Sequence, residues 1–376
     1  MPHPLQALQV RLPDLLADLE ELIRAESPTA DRLASARCAD TVAALGARLT
    51  GAEPERLAEG GSVQLRWRFG AGDRVLLLGH CDTVWPLGTL ATHPFTVSDG
   101  RLTGPGCYDM KAGLVQMFHA LAVLDSLDGV TVLVTTDEEH GSPDSRDLIE
   151  AEARRVRAAL VLEASGPGGA LKTARKGVST YDLRVVGRAA HAGLDPHLGI
   201  NTTMELAHQV LAIAGLADPA SGTTVTPTVM ASGTTRNTVP DAGELQLDVR
   251  VATIAEQHRV DAAMRARQPV TPGARLELAG GPNRPPMEER SSADLFARAA
   301  RIHEELGLGQ LHGLAVGGAS DGNLTAGAGT PTLDGLGAVG GGAHADDEHV
   351  SVEHLPQRAA LLAVLVRDLL APGSKD

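Results

Sequence analysis

Apolar residues recur with a helical period from the start of the chain: Leu5, Leu8, Leu12, Leu15, Leu16, Leu19, Leu22 and Ile23 fall on one face, with Pro13 limiting that helix or lying near its start. ESPTAD (26–31) reads as a turn and a new N-cap, and ADTVAALGARL (39–49) as a second helix. From residue 63 the period switches between two and 3.6. VQLRWRF (63–69), RVLLLGH (74–80), TVLVTT (131–136) and ALVLEA (159–164) are strand-like. MKAGLVQMFHALAVL (110–124), starting directly after Asp109, and SRDLIEAEARRV (145–156) are helical. Short apolar strands spaced by helices predict an α/β layer around a largely parallel, mixed sheet.

Near residue 173 the pattern changes. KGVSTYDLRVVGRAAHAG alternates polar and apolar side chains, the mark of an antiparallel strand with one wet face. A helix (201–217), a strand pair (223–233 and 244–252), a helix (255–268) and a strand (274–281) follow. The order strand–helix–strand–strand–helix–strand is the split βαβ, ferredoxin-like arrangement. The expectation is therefore a discontinuous α/β domain, residues 1–172 and 287–376, interrupted by an inserted α+β domain, residues 173–286. Helices at 291–306 and 352–370 resume the first pattern. No repeat of fixed period and no low-complexity tail beyond APGSKD is present.

Composition narrows this picture. A length of 376 residues favours two cores over one. Aromatics are 2% against 43% hydrophobic residues, so Leu, Val and Ala must fill the cores. No stretch approaches the roughly 18 apolar residues of a membrane span. The first residues lack a basic region followed by an apolar one, so neither a signal peptide nor a membrane partner is expected. Three cysteines, Cys38, Cys81 and Cys107, form no disulfide framework, which places the chain in a reducing, cytoplasmic setting. With 33 basic against 47 acidic residues, a broad basic face for nucleic acid is excluded.

The chemistry lies at the strand ends. His80 closes the run VLLLGH, Asp109 lies in GPGCYDMKAG, Glu139 is the second acid of TTDEEHGS, Glu163 ends ALVLEAS, and His344 sits in GAVGGGAHADDEHVS. In an open α/β sheet, sites form at the carboxyl ends of strands, so His80, Glu139 and Glu163 can converge. Two imidazoles and three carboxylates suffice for two metals if one carboxylate bridges. Asp109, at the mouth of a helix after two glycines, can offer one oxygen to each. Asp82 shares a strand face with His80 and can fix its tautomer. Glu138 precedes Glu139, so one of the pair can bind metal while the other takes a proton from water. Each feature alone also suits a solvated surface; their joint order does not. His349 is the rival to His344, His140 reads as a surface residue, and Cys81 and Cys107 read as buried thiols outside the ligand set.

These segments resemble the co-catalytic zinc aminoacylase and carboxypeptidase family, which includes carboxypeptidase G-type glutamate carboxypeptidases, acetylornithine deacetylase, succinyl-diaminopimelate desuccinylase and aminoacylase. GHCDTV (79–84), GPGCYDMKAG, TTDEEHGS, RAAHAG (188–193), TRNTVPDAGELQLDVR (235–250), GGASDGN (317–323) and GGGAHADDEHV carry the likeness, over nearly the whole chain. The resemblance implies a two-domain metallopeptidase whose inserted domain is a lid and dimerisation domain. It implies that His80 and Glu163 bind one Zn2+ and Glu139 and His344 the other, with Asp109 bridging; Co2+ and Mn2+ are alternatives. It further implies that Asp82 orients His80, that Glu138 is the general acid/base, and that the peptide bond after Asp109 is cis. His191 would reach the partner subunit's site in a homodimer and stabilise the oxyanion, and Asn237 would shape that pocket. Arg250 and Arg284 would hold the substrate carboxylate, with ordinary salt bridges as the alternative, and Ser320 would contact the same group. The implied reaction is hydrolysis of an N-acyl amino acid or peptide with release of an amino acid, most closely of the carboxypeptidase G type. An N-acyl-amino-acid deacylase is the second reading, and a non-catalytic dimeric binding protein the third.

Overall fold

A computed structural model describes residues 4–371; the chain ends 1–3 and 372–376, which belong to the expected first domain and include most of APGSKD, lie outside the described residues. Two units divide the chain: residues 1–174, 289–316 and 320–376 form one, and residues 175–288 with 317–319 form the other.

In the first unit the strands lie in the order Glu55–Glu59, Ser62–Arg68, Val130–Thr135, Val75–His80, Ala158–Val161, Thr332–Leu333. The first two neighbour pairs are antiparallel and the remaining three parallel, so the sheet is mixed. All six residues of Val75–His80 and all six of Val130–Thr135 are buried, as expected of strands covered on both faces. The period of two then sorts their side chains. Val75 and Leu77 face a core shared with the helices Leu12–Arg24, Arg32–Thr50, Ala112–Leu121 and His354–Leu370. Leu76 and Leu78 face the opposite core, with Ile149 and Ala153 of Arg146–Ala153 and Leu324 of Asp321–Gly327. Trp67 packs edge-on against Phe118 with ring centroids 5.1 Å apart. Gly46 lets the helix Arg32–Thr50 approach that pair, since a Cβ there would lie 2.5 Å from the indole.

Several boundaries differ from the sequence reading for local reasons. The first apolar stripe is split at Arg11 into Pro4–Val10 and Leu12–Arg24, with Pro13 in the first turn of the second, where a missing N–H is harmless. The next helix begins at Arg32, seven residues early, because Asp31 caps it by accepting the amides of Leu33 and Ala34. The helix after Asp109 starts only at Ala112. An irregular turn, Cys107–Lys111, precedes it, with Asp109 and Met110 off helical geometry and a cis Asp109–Met110 peptide. Strand Glu55–Glu59, helix Asp321–Gly327 and a small sheet of 96–98, 101–103, 340–341 and 349–351 were not legible beforehand.

The second unit is a four-stranded antiparallel sheet in the order Thr224–Ser232, Ala242–Val251, Gly177–Val186, Arg275–Arg284. The helices Thr202–Ala214 and Ile254–Arg265, capped by Asn201 and Thr253, cover one face. Tyr181, Leu183, Val185, Leu245, Leu247 and Val249 pack there against Leu206, Ile213, Val260 and Met264. This is the predicted βαββαβ order. Among the described residues, no helix is long and apolar enough to cross a membrane.

Candidate metal centre

The first unit gathers five of the predicted residues. His80 ends its strand and is 2% exposed. Its Nδ1 lies 3.0 Å from the main-chain oxygen of Asp82 and 3.5 Å from that residue's carboxylate. Nδ1 therefore donates to that main-chain oxygen, and Nε2 faces Asp109 Oδ1 at 3.5 Å and Glu163 Oε1 at 3.4 Å. Opposite, His344 Nε2 lies 3.3 Å from Asp109 Oδ2 and 3.3 Å from Glu139 Oε2. The two oxygens of Asp109 thus face different imidazoles, each with its own second carboxylate. Glu138 joins His80 and Glu163 in a group whose donor atoms lie within 4.8 Å of one another.

The backbone explains how distant residues meet. His80 ends one strand, Glu163 lies two residues past the end of the neighbouring parallel strand, and Glu139 sits in the turn Glu138–His140 beyond a third. His344 takes a left-handed conformation, φ 63°, in its glycine-rich loop.

The charges are unbalanced without a cation. Burial pulls the His80 imidazole down, but Asp109, Asp82 and Glu163 outweigh it and hold it well above its ordinary value. His344 is pushed up to about 10 by Asp109 and Glu139. Asp109 is raised by burial but lowered further by His344 and His80, to a net depression, while burial dominates at Glu139 and raises it. His80 Nε2, Asp109 Oδ1 and Glu139 Oε1 are buried without a hydrogen-bond partner. Orphaned donor atoms of this kind, aimed at one another, fit divalent metal with nitrogen and oxygen ligands.

Asp82 is placed differently from the simple expectation. Its main-chain oxygen is the closer partner of His80. Its carboxylate, fully buried, accepts from Thr29 Oγ1 at 2.7 Å and from the amides of Glu138 and Glu139 at 3.3 and 3.1 Å. His349 begins the strand His349–Ser351, and its Nδ1 meets Asp347 O at 2.9 Å. His140 is exposed. Cys38, Cys81 and Cys107 are buried free thiols, and neither Cys81 nor Cys107 joins a candidate ligand group among the described residues.

Of the remaining predicted residues, His191, Asn237, Arg250 and Arg284 belong to the second unit and Ser320 to the first. In the second unit, His191 is exposed and pairs with Thr238 across a short ribbon, and Asn237 accepts the amide of Ala192 at 2.9 Å. His191 Nδ1 accepts the amides of Gly193 and Leu194, both at 3.1 Å, so its proton resides on Nε2. Arg250 is held by both oxygens of Asp248 at 2.9 Å, two residues back on the same strand face. This is the salt-bridge alternative. Arg284 is 4% exposed. Ser320 is a helix cap: 1% exposed, it donates to Asp334 at 2.6 Å and accepts the Gly322 amide at 3.0 Å. Its hydroxyl is thereby engaged within the fold.

Sequence reasoning missed Glu348. It accepts four hydrogen bonds around the Asp109 turn, and its only signal was an acid in the run DDEHV.

A family model described as peptidase family M20/M25/M40 matches residues 76–368. Carboxypeptidase G2 of Pseudomonas sp. (strain RS-16) is 31% identical, covering 97% of this chain and 91% of that protein. A succinyl-diaminopimelate desuccinylase of Thioalkalivibrio sulfidiphilus is 27% identical, covering 95% and 99%. Among solved structures, aminopeptidase PepT of Bacillus cereus superposes with a TM-score of 0.73 at 22% identity, covering 96% and 99%. The M20 metallo-carboxypeptidase Sso-CP2 of Sulfolobus solfataricus gives 0.70 at 15%, covering 94% and 98%.

Proposed function

This chain belongs to peptidase family M20/M25/M40, and we propose that within it the protein is a two-zinc hydrolase that cleaves an amide to release an amino acid with a free carboxylate, glutamate foremost. The observation that carries the reading is Asp109, one oxygen toward His80 and the other toward His344. In this assignment His80 and Glu163 hold one cation, Glu139 and His344 the other, with Asp109 between them. Two divalent ions there would polarise the scissile carbonyl and acidify a water. Glu138 takes the proton of the attacking water and hands it to the leaving nitrogen. Asp82 holds His80 and the Glu138–Glu139 turn.

We assign catalysis to residues 1–172 and 287–376, and dimerisation to 173–286. In a homodimer the Nε2–H of His191 is offered to the oxyanion forming at the partner subunit's centre, and Asn237 shapes the same pocket. Arg250, which Asp248 already holds, and Arg284 are the candidates for the substrate carboxylate.

The glutamate reading is supported by the 31% identity to carboxypeptidase G2 across almost the full chain. The desuccinylase relatives support the deacylase as a second reading. The test is hydrolysis of a panel of N-acyl amino acids by the zinc-loaded protein, varying first the released residue and then the acyl group. A preference for C-terminal glutamate with bulky aroyl or peptidyl groups supports the first reading. A preference for small acyl groups on diamino acids replaces it with the second.

A further inference from the structure

Glu348 is fully buried, and both of its oxygens act only as acceptors. Oε1 takes the main-chain N–H groups of Tyr108 at 2.9 Å and Asp109 at 3.0 Å. Oε2 takes the N–H of Gly106 at 2.8 Å and the indole N–H of Trp85 at 2.7 Å. No lysine, arginine or histidine pairs with it among the described residues. A carboxylate removed from water and compensated by four N–H donors is costly to keep unless its geometry is used.

Two facts say how it is used. Two of the four donors belong to the turn Cys107–Lys111 that carries Asp109 and a third, Gly106, caps it, and that turn departs from helical geometry at Asp109 itself. Regular secondary structure therefore does not fix it. Glu348 also ends the loop that carries His344. Residues 343–347 are all exposed, His344 sits at positive φ, and Glu348 is the first fully buried side chain after them. One carboxylate thus pins the two least regular segments of the centre to each other.

We infer that Glu348 is a positioning residue of the metal centre, setting Asp109 and His344 at the separation that lets both hold the same cation. The inference rests on the two-metal assignment made above. Glu348→Gln replaces two acceptor lobes by an NH2 group that faces donors, so the Asp109 turn and the His344 loop lose their common anchor. Glu348→Asp keeps both acceptor oxygens on a stem one methylene shorter.

The test is a Co2+ titration of the metal-stripped full chain, parent against both variants, read by visible absorption, with circular dichroism and thermal melting alongside. Glu348→Gln is expected to keep the parental fold while its Co2+ affinity falls about 10- to 100-fold, the scale for a residue that orients a ligand. The absorption envelope should change, and activity at limiting metal should recover with excess Co2+ with KM little altered. Glu348→Asp should lie between the two. Parental affinity and spectrum in both variants would overturn the inference. So would a lowered melting temperature with unchanged Co2+ binding, which would make Glu348 an anchor of the fold alone. If the Gln variant does not fold, the Asp variant is read by the same criteria. Metal binding needs no substrate, so altered Co2+ binding without hydrolysis of any panel member supports Glu348 while refuting the substrate assignment. A parent that binds no Co2+ sinks both.

Discussion

Asp82 Oδ2 accepts the main-chain N–H of Glu139 at 3.1 Å, which ties a residue two positions past His80 to the turn that carries the opposite side of the metal centre. The same carboxylate also accepts from Glu138 N and Thr29 Oγ1. Asp82→Ala removes the carboxylate acceptor of three part-buried donors, of which Thr29 Oγ1 keeps only a longer contact to Thr83 O at 3.4 Å; an unsatisfied donor costs up to about 1–3 kcal/mol when buried. The variant should therefore lose stability in urea as well as metal affinity. Asp82→Asn, keeping one acceptor oxygen, should be intermediate in both. If Asp82→Ala weakened metal binding at parental stability, Asp82 would act on His80 alone and the turn contacts would be incidental.

Glu138 is within 4.8 Å of His80 and Glu163 donor atoms, yet the pairs His80–Glu163 and His344–Glu139 already supply the set around Asp109. As a base it should be dispensable for binding and indispensable for turnover. Glu138→Gln is expected to lower kcat by about 100-fold or more, the scale of general acid–base catalysis. Metal content by elemental analysis should stay parental. Loss of one equivalent of metal from the variant would move Glu138 into the ligand set.

The strands that frame this centre were legible because their signal is redundant. Val75–His80 and Val130–Thr135 are buried along their whole length, and runs this short ending in a polar residue favour a strand over a helix. The βαββαβ unit was legible from alternation, which survives as the buried-and-exposed pattern along Gly177–Val186. What the sequence hid were relations set by tertiary hydrogen bonds. The hydroxyl of Ser320 also donates to Asp334, fourteen residues along the chain, which the sequence does not announce. Glu348 reads as one acid among several in an acidic loop until the Asp109 turn folds onto it.

His191 presents Nε2–H because Gly193 and Leu194 hold its Nδ1. A histidine fixed as a donor suits an oxyanion, and its removal should cost about 100- to 1,000-fold in kcat. The homodimer proposal adds a sharper consequence. Mixing His191→Ala with Glu138→Ala subunits by denaturation and refolding creates hybrid dimers in which one centre has its own Glu138 and the partner subunit's His191. Random assortment should return about a quarter of parental activity from two nearly inactive proteins. No recovery in dimers shown to have exchanged subunits would remove His191 from the partner's site.

Far from the centre, Asp18 on the helix Leu12–Arg24 joins two other helices, accepting from His119 at 2.7 Å and Arg48 at 2.5 Å. Burial raises its carboxyl, but His119 and Arg48 outweigh that and hold it below the ordinary 3.8. A depressed carboxyl means the unfolded chain binds the extra proton first as pH falls, so stability rises with pH through this range. The contribution of Asp18 is fully present above about 3.8 and fades as pH drops through its lower folded value. Asp18→Asn, similar in shape but uncharged, should therefore melt below the parent at neutral pH. That gap should close progressively as the solution is acidified below pH 4 or so, toward the depressed folded value. Melting curves of both proteins from neutral to acid pH check this. A gap that stays constant across the acid range would assign the loss to hydrogen-bond geometry in place of charge.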